Sequence, residues 1–245
     1  MLESNIFDTV TGVQIGIGGE RRYKGIDIKS LFYSKEKLTD NYYPIIDLKG
    51  VNFYKYSSLK HEQFLNFDEE LGYQINKNVL KCNIAIPKYK DYICSEKVIV
   101  RQSSDSITAS YSDYCCIAEY SAFSIKQKDK KVSLKYLIGI LNSKYITWYA
   151  RYNKIIKTGH KKQPQIRIKG INSIPIKKIS ESEQKPYIEI VDKILAITKS
   201  VDYSENPAKK AEVKEYEKQI DEMVYELYGL TAEEIGIVGG QNETF

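Results

Sequence analysis

The stretch SLKYLIGILNSKYITWYARYNKIIKTGHKKQPQIRIKG, Ser133 to Gly170, decides how this chain is read. In its first half, Leu134, Leu137, Ile138, Leu141, Tyr145 and Trp148 recur at three- and four-residue steps, which places them on one face of a helix. A stripe of that kind belongs in a core. After Arg151 the apolar period fails, and Gly159 and Pro164 forbid a continuous helix. The second half is therefore expected to be a basic loop anchored on a buried helix.

Charge is partitioned around this stretch. Residues 124–178 carry 15 Lys/Arg against 1 Asp/Glu, residues 1–123 carry 15 against 16, and residues 179–245 carry 7 against 15. The overall formal charge of +5 hides a middle block of +14. A single-sign block beside a folded core repels itself unless something negative sits against it. Nucleic-acid phosphate is the natural candidate, and the interleaved Tyr136, Tyr145, Trp148, Tyr149, Tyr152 and Gln163 favour it over simple solvation. An acidic protein surface is the competing partner. No basic helix with a bulky aliphatic face points to an anionic membrane.

At 245 residues, with 42% hydrophobic and 28% charged residues, the chain can bury a core of its own. Its 21 Tyr against one Trp and two Met supply rings that both pack and hydrogen-bond, which suits a surface meeting a polar partner. No signal-peptide pattern follows Met1 and no apolar run approaches the roughly 20 residues that span a bilayer, so a cytoplasmic location is expected. Cys82, Cys94, Cys115 and Cys116 form no C-x-x-C pair and lie far from His61 and His160, which argues against a structural zinc site. Free thiols in a reducing compartment are the expectation.

Upstream, TGVQIGIGG (Thr11 to Gly19) alternates like a strand through Val13, Ile15 and Ile17, then breaks at Gly18-Gly19. Arg21, Arg22 and Lys24 follow, either as a phosphate-contacting turn or as an exposed hairpin tip. The glycines match no dinucleotide or P-loop fingerprint. Between Glu96 and Gln127, the runs Val98–Arg101, Ile107–Tyr111 and Ala122–Lys126 read as three antiparallel strands separated by Ser/Asp turns. Arg101, at the end of the first, could reach a base edge or pair with Asp105.

The last third is acidic and helical. Tyr187, Ile190, Ile194, Ile197 and Val201 step by alternating threes and fours, and so do Val213, Tyr216, Ile220, Met223, Leu227 and Leu230. Asn206 and Pro207 cap and open the second helix, Gly229 stops it, and Thr231 with Glu234 offers a capping box for a third. Two heptad seams with a short connection predict an antiparallel hairpin.

The segments IPIKKISESEQKPYIEIVDKILAI and YEKQIDEMVYELYGLTAEEIGIV, with YLIGILNSKYITWYARY ahead of them, resemble the TaqI-like specificity domain. That domain is the C-terminal part of many restriction-modification DNA methyltransferases and fused restriction-methylation enzymes. The motifs that carry the resemblance are LNSK on the helix, IPI after the basic stretch and ID-x-x-VYELYGL before the last short helix. VQIGIGG and KVIVRQ look like the domain's more variable front half. The resemblance implies a target recognition domain that places loops in the DNA major groove, followed by a helical arm that packs on methyltransferase and endonuclease parts. By position, the recognition loop corresponds to Asn153 through Gly170 and the front-half turns to Gly18 through Lys24.

The fold expected is therefore α+β: a mostly antiparallel curved sheet with packed helices over residues 1–178, then an antiparallel two-helix coiled-coil arm with a short terminal helix over residues 179–245. Lys154, Lys157, Lys161, Lys162 and Lys169 are expected on phosphates, and His160, Gln163, Gln165 and Arg167 on base edges, with Arg21, Arg22, Lys24 and Arg101 as further DNA contacts. The expected partners are double-stranded DNA, methyltransferase and endonuclease domains or subunits, and a second copy through the helical arm. The chain lacks the Asn/Asp-Pro-Pro-aromatic turn and the glycine-rich methyl-donor loop of a base methyltransferase, since Asn206-Pro207 leads into Ala208. No catalysis or cofactor is expected in it; S-adenosylmethionine and Mg²⁺ would belong to the catalytic domains of a parent adenine-specific methyltransferase or type II restriction enzyme. Two alternatives stand: a protein-interaction module built on the heptad hairpin, and a Mg²⁺-dependent nuclease using Asp40, Asp47 and Lys49.

Overall fold

A strand that is apolar on both sides needs cover on both faces, and the run Val98-Ile99-Val100 finds it. The computed structural model describes residues 6–15, 21–46, 48, 55–56, 63–79, 82–86, 92–159 and 162–240. The chain opens with β1 (Phe7–Thr11) and β2 (Gln14–Ile15), then a hairpin of β3 (Arg22–Tyr23) and β4 (Ile26–Asp27) leading into α1 (Ile28–Phe32). Next come β5 (Tyr33–Ser34), β6 (Tyr42–Pro44), β7 (Phe64–Asn66), α2 (Glu69–Asn78) and β8 (Ile84–Ala85). Strands β9 (Lys97–Arg101), β10 (Ala109–Ser112) and β11 (Ala122–Gln127) complete a four-stranded antiparallel sheet of order β1-β11-β9-β10. The three expected runs thus pair as neighbours, Ala122 opposite Arg101 and Ala109 opposite Val100.

Alternation along β9 divides the interior. Val98 and Val100 face the largest apolar cluster together with Phe123, Ile125, Ala109 and Tyr111, whereas Ile99 faces Ile46, Leu48, Cys116 and Ala118 on the other side. A third cluster, built around Phe32, Leu65, Ile75 and Ile117, holds the front elements, including the β5-β7-β6 sheet and the β2–β8 pair. The expected strand through Val13, Ile15 and Ile17 is interrupted: β1 ends at Thr11 and β2 covers Gln14–Ile15, and residues 16–20 lie outside the described part. Between the two strands only glycine fits at position 12, where a Cβ would collide with the Glu119 carbonyl oxygen.

The long helix of the sequence reading is two helices, α3 (Leu134–Asn142) and α4 (Lys144–Tyr152). Ser143 ends the first and caps the second, its hydroxyl accepting from the Ile146 N–H. The break rotates the buried face. Leu134, Leu137, Ile138 and Leu141 are buried as expected, but on α4 the buried residues are Ile146 and Ala150, and Tyr145 and Trp148 are only half-buried. The LNSK motif is this junction. The Asn142 amide accepts from the Ala109 N–H at 2.8 Å and donates to the Ala109 carbonyl at 2.9 Å, pinning α3 to β10. The backbone N–H of Lys144 donates to Asp221 at 2.8 Å.

After α4 follow a hairpin of β12 (Lys157–Gly159) and β13 (Lys162–Gln165), the short α5 (Ile168–Ile171), and then α6 (Glu181–Thr198), α7 (Pro207–Tyr228) and α8 (Ala232–Val238). The caps fall where the sequence puts them: Asn206 and Pro207 start α7, Gly229 ends it at φ 72°, and Thr231 and Glu234 form a capping box. Antiparallel packing of α6 and α7 is fixed by the Tyr187 hydroxyl, which donates to the Met223 carbonyl at 2.8 Å. The hairpin lies along α3 and shares its core. Gln184 accepts from the Ser133 N–H, Tyr136 meets Tyr187 edge-on at 5.3 Å, and Lys135 pairs with Asp192 at 2.6 Å. Contact with α3 shifts the seam of α6 to Gln184, Tyr187, Val191, Ile194, Leu195 and Thr198, and leaves Val201 87% exposed. The largest core thus runs across residue 178, and the apolar seams of α6 and α7 are filled within one chain.

Candidate nucleic-acid interface

The stretch expected to be a basic loop is a β-hairpin, with Lys157 opposite Gln165 and Gly159 opposite Lys162. Its turn residues, His160 and Lys161, lie outside the described part, and of Lys162 the backbone alone is described. Isoleucines anchor both ends. Ile155 and Ile156 are buried where the chain leaves α4, their N–H groups bonded to the Ala150 carbonyl, and Ile166 is buried at the exit with its N–H on the Gln102 carbonyl. On α5 a Cβ at Gly170 would touch Ile155 at 3.0 Å, so α5 packs closely on the entry.

Anchored this way, the polar residues have only outward positions left. Gln163 and Gln165, two residues apart on one strand, share a face with Lys157, the cross-strand partner of Gln165, and all three are exposed. From the end of the strand onward, Gln165, Arg167 and Lys169 are exposed and Ile166 and Ile168 turn inward. Lys154 precedes the hairpin in a left-handed conformation, φ 55°, which costs a non-glycine residue on the order of 1 kcal/mol.

The basic block is divided by its partners. Lys128 pairs with Asp8, Lys135 with Asp192 and Lys144 with Asp221, and the Lys177 ammonium donates to the Leu227 carbonyl. Among the described residues, Lys154, Lys157, Arg167 and Lys169 are exposed and form no ion pair. Carboxylates of β1, α6 and α7 thus take up Lys128, Lys135 and Lys144, whereas the cations on and around the hairpin, like Lys130 and Lys131, have no acidic partner among the described residues.

The front turn is a second, separate basic tip. Lys24 (φ 49°) and Gly25 (φ 81°) make a two-residue turn between β3 and β4, with Arg21, Arg22 and Lys24 exposed. It stands on the front core, and Arg22, Tyr23 and Lys24 line a shallow cleft with Asn78 and Val79 from the end of α2. Arg101 is the last residue of β9. Its half-buried guanidinium donates to the Leu48 carbonyl, tying β9 to the chain on the sheet's other side.

The cysteines require a correction. Cys94 and Cys115 form a disulfide, because the β9–β10 pairing brings the residues just outside both strands together; Cys82 and Cys116 are free. Beside them lies an unforeseen buried lysine, Lys97, whose ammonium donates to the carbonyls of Ile93, Ser95 and Tyr114. Burial pulls its pKa down, and burial pushes the neighbouring Cys116 thiol up. Of the nuclease alternative, Asp40 is exposed and pairs with Lys37 at 3.3 Å, while Asp47 and Lys49 lie outside the described residues. No helix of the described part is long and apolar enough to cross a membrane.

Comparison with known proteins agrees with this architecture. No curated protein matches the chain. Among solved structures, it resembles the type IIL restriction-modification enzyme MmeI, solved in complex with DNA, at TM-score 0.54 and 11% identity over 91% of this chain and 33% of that one. The type IIG restriction endonuclease BpuSI aligns more loosely, at TM-score 0.42 and 14% identity over 92% of this chain and 32% of that one. The chain thus spans about a third of the length of these enzymes. The model of the TaqI-like C-terminal specificity domain matches residues 45–176, just over half of the sequence and all of the stretch from β9 through the basic hairpin. The chain belongs to the TaqI-like C-terminal specificity domain family.

Proposed function

We propose that this chain is the sequence-reading module of a restriction-modification enzyme, holding duplex DNA against the β12–β13 hairpin and bringing a methyltransferase, and an endonuclease where the system has one, to its site. The observation that carries the reading is one exposed polar surface on and around the hairpin: Lys154, Lys157, Arg167 and Lys169, none ion-paired among the described residues, lie with exposed Gln163 and Gln165 on a segment anchored by buried isoleucines. Lys154, Lys157 and Lys169, with Lys161 and Lys162, neutralise phosphates and set the register. Gln163, Gln165, Arg167 and His160 read base edges, Gln favouring adenine and Arg guanine. Arg21, Arg22 and Lys24 supply a second phosphate contact. Arg101 acts indirectly, by holding the strand from whose end Gln102 anchors the hairpin.

The module performs no chemistry alone; the methyl donor and Mg²⁺ belong to catalytic domains elsewhere in the parent enzyme, which acts in the cytoplasm. Neutralising about five phosphates gives a slope of roughly −4 to −5 in log affinity against log salt. Selection of bound duplexes from a random pool should return a defined consensus, and the double change Lys161→Glu, Lys162→Glu should abolish the gel shift. Unaltered binding by that variant would remove the hairpin from the site.

A further inference from the structure

Beside the hairpin, between α4 and the β9–β10 connection, lies a cavity of about 760 Å³. Trp148 and Tyr152 line it as the outer two rings of a stack. Tyr145, Trp148 and Tyr152, at three- and four-residue steps along α4, lie 6.2 Å and 5.2 Å apart with interplanar angles of 22° and 14°. The last ring, Tyr152, is 65% exposed. Its outer π-face is where another planar ring would extend the stack.

The cavity wall is cationic. Lys55, Lys144, Arg151 and Lys154 line it against a single carboxylate, Asp105. Two of these cations are committed elsewhere, Lys55 to the Asn142 carbonyl at 2.9 Å and Lys144 to Asp221 at 3.6 Å. Arg151 uses only its Nε, donated to the Asp105 carbonyl at 2.9 Å, and its terminal nitrogens meet no acceptor among the described residues. Lys154 holds its left-handed backbone at the same wall.

An open aromatic face and two cations with free donors within one pocket of ligand-binding size match one ligand chemistry. We infer that this cavity binds a single nucleoside phosphate. The base stacks on Tyr152, and the phosphate meets Arg151 and Lys154. The nucleotide can arrive free or as an unpaired residue of a DNA strand; only the second source rests on the function proposed above. An acidic peptide would use the cations and leave the ring stack idle.

Trp148 is the sole tryptophan, so the intact chain carries its own reporter. Titration with dAMP should quench tryptophan emission saturably, whereas inorganic phosphate should not. A duplex with one extrahelical nucleotide should compete with dAMP more effectively than the perfect duplex. Because Tyr152 is exposed, Tyr152→Ala should keep the melting temperature and weaken dAMP by about tenfold or more, and Arg151→Gln should weaken it without abolishing the quenching by bases. Binding of the perfect duplex should stay unchanged in Tyr152→Ala. Absence of saturable quenching at millimolar dAMP, or quenching that Tyr152→Ala leaves intact, would overturn the inference. Loss of perfect-duplex binding alongside intact dAMP binding would instead strike the proposed function and leave this site standing.

Discussion

The helical framework and the β12–β13 hairpin draw on the same basic block and use it in opposite ways. On α3 and at the start of α4, Lys135 and Lys144 meet Asp192 of α6 and Asp221 of α7, so the charge there joins elements of one fold. On the hairpin and α5, Lys157, Arg167 and Lys169 stand exposed without an acidic neighbour among the described residues, so charge there is held outward by buried isoleucines. Local density of lysine does not distinguish the two uses. What distinguishes them is whether the sequence supplies a carboxylate at the place where the fold brings the lysine.

The largest expected effect falls on the framework. Asn142→Ala leaves the buried N–H of Ala109 without a partner, while its carbonyl keeps the Tyr56 N–H, and should cost about 1–3 kcal/mol in a denaturant titration. Next comes the hairpin: Arg167→Ala should cost about 1–3 kcal/mol in discrimination at one base position, read as a relaxed consensus in duplex selection, with no change in melting temperature. Lys135→Ala removes a half-exposed pair; it should change stability by about 1 kcal/mol or less and leave duplex affinity unaltered. A loss of affinity there comparable to that of Lys157→Ala would erase the contrast.

The smallest effect is a slope. Burial, opposed by Lys144 and Lys55, raises the Asp221 carboxyl above its ordinary pKa. A carboxylate with a raised folded-state pKa is penalised for ionising, so that penalty is absent below the unfolded pKa and grows until pH passes the folded value. Asp221→Asn keeps an acceptor for the Lys144 N–H and cannot ionise. Its stability relative to the parent should therefore rise with pH across the acid range and then level, as thermal melts at stepped pH would show.

Strands β9 and β11 were legible from sequence because their β-branched runs are short and bounded by polar turns, and the helix caps because Asn206, Gly229 and Thr231 act locally. The contacts that bend those elements were not legible. Ser143 interrupts an unbroken apolar period, and its effect depends on Asn142 finding Ala109 on a strand 33 residues away in sequence. The seam of α6 follows α3, a partner that heptad spacing does not name. The Cys94–Cys115 bridge depends on strand register, which spacing alone cannot supply. In the candidate interface, the alternation of Gln165, Ile166, Arg167, Ile168 and Lys169 was present in the sequence as a strand-like signal, but Gly159 and Pro164 made the region read as a loop. Composition singled out Lys154, Lys157, Gln163, Gln165, Arg167 and Lys169, which are exposed; it did not show the hairpin that carries them.

Deletion of residues 201–245 would be a poor way to separate DNA binding from docking, since it strips Val213, Ile220 and Val224 from the largest core. Salt dependence asks the question without disturbing the fold. The duplex affinity of the parent should be compared across salt with that of Lys157→Gln, Lys169→Gln and of Lys128→Gln, Lys135→Gln. The account predicts that the slope of log affinity against log salt shrinks in magnitude by about two for the hairpin pair and stays at the parent value for the ion-paired pair. Equal shrinkage in both variants, or none in the hairpin pair, would contradict it.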